Sequence, residues 1–268
     1  MPNLRVIADN LADSATLGGS AGTGNLVLAN LKKDAKSLVW RVSGTTASIT
    51  VTFATAQFVD CVVLAFTNLT ASATMSVTGA GATVGATACV PAVYPKPYDW
   101  GTAPNGANTF SYGGGNLARL YFAGGSTTSI TIAISDPSNP DGYIEASRLI
   151  VGDYWEPTYN LDIGASSGMV DSTSNSRTDA GDLVGDRGYR FRTMSLALST
   201  LTAADRATLF KLFRNNGLSR GMFVSAYPAS TDSELERDHQ MYGKLTEMSQ
   251  ISLQFINMFA GTLALEEV

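Results

Sequence analysis

Period-two alternation dominates residues 1–150. In SITVTF, Ile49, Val51 and Phe53 fall on one face, with Ser48, Thr50 and Thr52 opposite. TMSVTG repeats this with Met75 and Val77, and SITIAIS with Ile130, Ile132 and Ile134. Successive side chains of a strand point to opposite faces, so each run predicts a half-buried strand. FVDCVVLAF is apolar on both faces and predicts a central strand covered on both sides. LARLYFAG adds a further strand through Leu120 and Phe122. The turn-rich segments TGAGATVGA, DWGTAPNGAN, SYGGGN and SDPSNPDG punctuate these runs. Many short strands so punctuated predict an antiparallel β-sandwich.

After Gly152 the texture changes. YIEASRLIVG reads as the strand that closes the sandwich, and DYWEPTYN as the exit from it, with Trp155 and Pro157 packing the junction. Residues 164–188 carry few large apolar side chains, which predicts a long exposed loop or arm. RFRTMSLALSTL resumes alternation through Met194, Leu196 and Leu198. TAADRATLFKLFRNNG then predicts one helix, with Thr202 as N-cap, Asp205 three residues on, and a stop at Asn216-Gly217. GMFVSAY, HQMYGKL, QISLQF and FAGTLAL read as closing strands. The expected architecture is mainly β: an N-terminal sandwich over residues 1–152 and a smaller α+β domain over 153–268 with a polar arm at 164–188.

Composition sharpens this picture. Apolar residues make up 44% of the 268 residues, ample for a core, while charged residues are only 15%. Thr, Ser, Ala, Asn and 26 Gly cover the surface instead, a mix that suits strands and turns. The net charge of −5 argues against a nucleic-acid footprint. No apolar run is long enough to span a bilayer as a helix. The N-terminal segment lacks the basic and apolar regions of a secretory signal, so synthesis and folding in a cytoplasm are expected.

Candidate chemistry is sparse. His239 is the one histidine, which weakens triad and His-based metal readings, and the 23 Asp and Glu offer no way to select a catalytic pair. Cys61 reads as a small buried thiol; its spacing to Cys89 matches no zinc signature. LGGSAGTGN lacks the Lys-Ser/Thr ending of a phosphate loop and reads as a flexible turn. No catalytic residue, metal site or cofactor is expected. Two clusters remain. Tyr98, Asp99 and Trp100, with Tyr112, form either an aromatic platform for a sugar or a plug against the sandwich or a subunit. Arg187, Arg190 and Arg192 alternate with Tyr189 and Phe191, a basic stripe suited to an acidic neighbouring subunit.

VWRVSG followed by SITVTFATAQFVDCVVLAFTNLTASATMSVTG, with the closing ARLYFAG…SITIAISDPSNPDGYIEASRLIVG, resembles the galactose-binding-like, discoidin-type jelly roll. GYRFRTMSLALSTLTAADRATLFKLFRNNG…YGKLTE…FAGTLALEE, placed after it, resembles the smaller structural domain of tailed-bacteriophage tail-tip proteins. The combination implies a virion component of a tail tip or baseplate, assembled in the bacterial host cytoplasm. It would act through homo-oligomers and contacts with other tail proteins rather than through catalysis. The jelly roll alone implies a carbohydrate-binding module for host-surface glycan. The cysteine pair that joins the ends of secreted discoidin domains is not present.

Overall fold

The computed structural model describes residues 2–70, 72–79, 84–88, 116–186, 188–230 and 232–268. Its strands begin with β1 (Arg5–Ile7), β2 (Thr16–Gly19), β3 (Trp40–Ser43), β4 (Thr46–Thr67), β5 (Thr74–Gly79) and β6 (Val84–Ala88). β7 (Asn116–Ser135), β8 (Tyr143–Ala146), β9 (Arg148–Gly152), β10 (Ser166–Asp171), β11 (Ser174–Arg177) and β12 (Leu183–Asp186) follow. Then come β13 (Arg190–Leu201), helix α1 (Ala203–Asn216), β14 (Met222–Ser225), helix α2 (Ser233–Asp238), β15 (Gln240–Leu245), β16 (Ser252–Phe255) and β17 (Met258–Glu267). The chain is mainly β, and the pairings between these strands are antiparallel.

Two sheets dominate. One runs β2-β4-β7-β5-β6, with β9 also on β4; the other runs β1-β14-β15-β17-β13-β10, with β16 also on β17. β3–β8 and β11–β12 form separate two-stranded pairs. The alternating runs of the sequence thus lie on strands, but four of them merge. SITVTF and FVDCVVLAF are one strand, β4, and LARLYFAG and SITIAIS are one strand, β7. The residues between the runs stay in the strands, and the ladder's register shifts between Thr52 and Gln57. LGGSAGTGN is not wholly a turn, since Leu17, Gly18 and Gly19 pair with Val51, Thr50 and Ile49. YIEASRLIVG is two strands rather than one. They part at Ser147, with β8 pairing β3 and β9 pairing β4.

FVDCVVLAF is apolar on both faces because it is buried against two cores. Val62 and Leu64 face the cluster that holds Trp40, Ile49, Met75 and Ile132. Cys61, Val63 and Ala65 face a second cluster with Ile7, Ile150, Phe223 and Tyr242. A register shift between Val59 and Cys61 changes which side chains face which core, since one extra residue inverts the alternation. Another shift between Ala65 and Thr67 turns Phe66 inward, at a φ of 57° that a bulky residue rarely adopts. Phe66 then meets Tyr242 edge-on at 6.2 Å. Each large apolar side chain so buried is worth about 1.5–3 kcal/mol.

The third core holds Leu4, Val6, Met194, Leu196, Leu209, Leu212, Phe213 and Leu263. The first strand belongs to it: Val6 pairs with Val224 of β14, so the chain's start lies in the later sheet. Helix α1 forms as the sequence predicts. The Thr202 side chain accepts from Asp205 N, the Asp205 carboxylate answers at Thr202 N, and Gly217 at φ 53° ends the helix. Phe210, part of the apolar stripe by sequence, faces solvent instead. A second helix, α2, precedes β15 in a stretch for which no element was expected, so the one-helix expectation is corrected to two.

Candidate functional site

Three features are candidates for function: a cleft beside β4 and α1, a buried polar seam and two exposed projections. The cleft is about 690 Å³ and is lined by Gln57 and Phe58 of β4, by Asp153–Glu156, and by Thr208, Lys211 and Asn215 of α1. Val6, Trp155 and Leu212 also line it, and all three belong to or pack on the third core. Trp155 is half-buried and packs against the third core, bridging Val6 through two backbone bonds of 2.8 and 2.9 Å. Its indole Nε1 donates to Asp205 at 3.4 Å. Phe58, on β4, is 47% exposed. The tip of its ring lies against β7: a Cβ on Gly124 would sit 2.6 Å from it, so glycine leaves the room for this approach.

Beside the cleft, Asp60 accepts a 3.1 Å bond from Tyr154 N. Burial pushes its carboxyl up to about 7, with the Asp153 carboxylate adding to the rise and Arg5 opposing it. Arg5 lies 4.2 Å from the Tyr154 ring centre and 4.5 Å from that of Tyr121, and its Nε holds Glu156 at 2.9 Å.

The polar seam runs where β7 and β9 meet the later sheet. Arg119 clasps Glu236 of α2 with both arms, one bond measuring 2.6 Å. Arg148 Nε donates to the Tyr242 hydroxyl at 3.0 Å, which in turn donates to Asp34 at 2.8 Å. Buried charges of this kind are tolerable only when paired and hydrogen-bonded, as these are.

The first projection covers residues 164–188, expected as a loop or arm. It is a strand-built arm: β10 adds to β13 at the end of the sheet, and β11 and β12 form a hairpin beyond it. All six residues of β10 and all eight of β11 and β12 are exposed. Its few apolar side chains (Met169, Val170, Leu183 and Val184) therefore face outward. The second projection is the β16–β17 hairpin, with Phe255 76% and Ile256 91% exposed around a turn at Asn257, φ 62°.

Of the residues singled out by sequence, Tyr98, Asp99, Trp100, Tyr112 and Arg187 lie outside the described residues. Arg190 is exposed and pairs with Asp171 at 2.8 Å on the neighbouring strand. Arg192 is buried, and its Nη2 holds Glu267 at 2.8 Å. Both arginines thus have intramolecular carboxylate partners. His239 Nδ1 donates to the Leu235 carbonyl at 2.9 Å, and its ring packs edge-on against Tyr227. Among the described residues no cluster of three or more His, Cys, Asp or Glu is placed to hold a metal, and no helix is long and apolar enough to cross a membrane. Sequence reading missed the cleft, since Phe58, Trp155 and Lys211 are far apart along the chain.

No family model matches the sequence. No curated protein matches it either. Solved structures do share similarity. One is a chitosan-binding module of a chitosanase/glucanase from Paenibacillus sp. IK-5, at 16% identity and a TM-score of 0.35, covering 54% of this chain and 99% of that one. Another is CpGH89CBM32-5 from Clostridium perfringens in complex with GalNAc-β-1,3-galactose, at 12% identity and 0.37, covering 54% and 100%. A third is the CBM32 of AlyQ in complex with 4,5-unsaturated mannuronic acid, at 18% and 0.32, covering 53% and 95%. None of these three is a tail protein. At such identities and TM-scores they decide neither the fold nor the ligand of this chain.

Proposed function

We propose that the chain is a structural, oligomer-forming component of a larger protein assembly, working through contact surfaces rather than catalysis. One observation carries this reading: the strand-built arm at 164–188 presents Met169, Val170, Leu183 and Val184 to solvent. An arm of exposed strands buries too little of itself to be favoured in isolation, and an exposed strand edge is a template for another chain. The β16–β17 tip, with Leu253, Phe255 and Ile256, repeats the pattern. The sequence resemblance to tail-tip proteins names the class of assembly, a phage tail tip or baseplate. Within it, residues 153–268 together with β1 serve as the assembly domain, and the remaining residues up to 152 as the sandwich it carries. Light scattering of the purified chain across concentration tests the reading. A discrete oligomer is expected; a monomer at every concentration contradicts self-assembly.

A second reading, carbohydrate binding, is favoured by the junction cleft, where an exposed aromatic ring stands among amide and carboxylate groups. The two readings are compatible, because an assembly component can carry a saccharide site. Glycan-array binding of the whole chain tests this one, and silence on every sugar contradicts it.

A further inference from the structure

The cleft at the junction has the makings of a specific site. Its volume of about 690 Å³ suits a ligand of one to three sugar rings. Phe58 lines the cleft, and the tip of its ring lies so close to the Gly124 backbone that a Cβ there would sit 2.6 Å from it, so β7 restricts the ring's movement. A rigid apolar face suits the C–H side of a pyranose, and loses little side-chain entropy on binding.

Polar groups complete the walls. Among the described residues, Asp9, Lys211 and Asn215 line the cleft without a side-chain hydrogen bond or ion pair of their own. Asp153, exposed beside them, leans on Asp60. Unpaired amide, ammonium and carboxylate groups converging around an apolar face match the alternating donors and acceptors of sugar hydroxyls. Their charges also choose among sugars. Asp9 and Asp153 against Lys211 leave the site net negative, which disfavours uronic and sialic acids.

We propose that this junction cleft binds an uncharged hexopyranose of a short oligosaccharide, with Phe58 as the stacking platform and Asn215, Lys211, Asp9 and Asp153 as hydroxyl partners. The inference rests on the carbohydrate-binding reading and gives it an address and a sugar class. It places the ligand between the sandwich and α1, on residues other than the Tyr98, Asp99 and Trp100 cluster singled out by sequence.

Titration calorimetry on the full chain decides it, using neutral trisaccharides of glucose, galactose and N-acetylglucosamine, and a uronic-acid trisaccharide, each to about 10 mM, tenfold above a Kd of 1 mM. Saturable binding of a neutral trisaccharide is expected, weakened about tenfold in Phe58→Ala, whose side chain is half in solvent, and also in Asn215→Ala on the exposed side of α1. Trp100→Ala should bind as the parent does. Binding that Trp100→Ala abolishes and Phe58→Ala leaves intact overturns the cleft while sparing the carbohydrate reading. No binding of any sugar overturns both, and equal or tighter binding of the uronic-acid trisaccharide overturns the sugar class.

Discussion

Glu236, fully buried on α2, receives both arms of the Arg119 guanidinium from β7, a contact that joins residues 117 positions apart. Glu236 also accepts from Ala229 N at 3.1 Å, so its carboxylate organises the turn before α2 as well. Hydrogen bonding and attraction to Glu236 outweigh the burial of Arg119 and hold its guanidinium charged. Glu236→Ala leaves a buried cation alone and should cost about 3–5 kcal/mol. Replacing both partners with apolar residues of similar volume should cost much less. Urea denaturation of the two single variants and the double variant measures the difference, and an additive cycle would contradict the coupling.

Asp60 predicts a pH dependence. Its carboxyl is raised to about 7 in the folded chain, above the unfolded value near 3.8. The native state therefore holds the proton more tightly than the unfolded one between these values. The stability it contributes is full below about pH 4 and is lost as pH rises toward 7. Asp60→Asn should flatten that part of the stability curve and leave the variant more stable than the parent at pH 8. Thermal melts across pH 4–8 check this; unchanged curvature in the variant contradicts it.

Asp205 does more than cap α1. Besides Thr202 N and Oγ1, its carboxylate accepts from Trp155 Nε1 at 3.4 Å and from Thr158 N at 3.3 Å. Thr202→Ala should cost about 1 kcal/mol, an ordinary N-cap loss. Asp205→Ala should cost more, because it strands the groups that hold the 155–158 segment against the helix. Equal losses in chemical denaturation would show that the segment does not depend on Asp205.

Much of this architecture was legible because strand alternation and helix capping are local. Ile49, Val51 and Phe53, or Ile130, Ile132 and Ile134, announce a face without knowing what covers it. The α1 boundaries follow from Thr202, Asp205 and Gly217 alone. The two-faced run around Cys61 predicted a doubly covered strand, although its second cover, Phe223 and Tyr242, comes from distant sequence. What stayed hidden depends on long-range partners. Three residues, Arg5–Ile7, are too short a pattern to reveal that they join the later sheet. The break at Ser147 separates β8 and β9 by partner choice, not by composition. The arm read as a polar loop because its apolar residues are few, and only the ladder between β10 and β13 shows it to be strand. The cleft around Phe58 had no local signal at all, since its walls come from four separate stretches.

The central claim is that the arm joins copies of the chain, and sedimentation velocity on the parent and on Val170→Lys/Val184→Lys tests it most directly. Both side chains are exposed on their strands, so the double variant should keep the parent's fold, with an unchanged far-ultraviolet circular dichroism spectrum. The account predicts a discrete oligomer for the parent and a monomer for the variant at matched concentration. An unchanged oligomer in the variant, or a parent that is monomeric throughout, would contradict it.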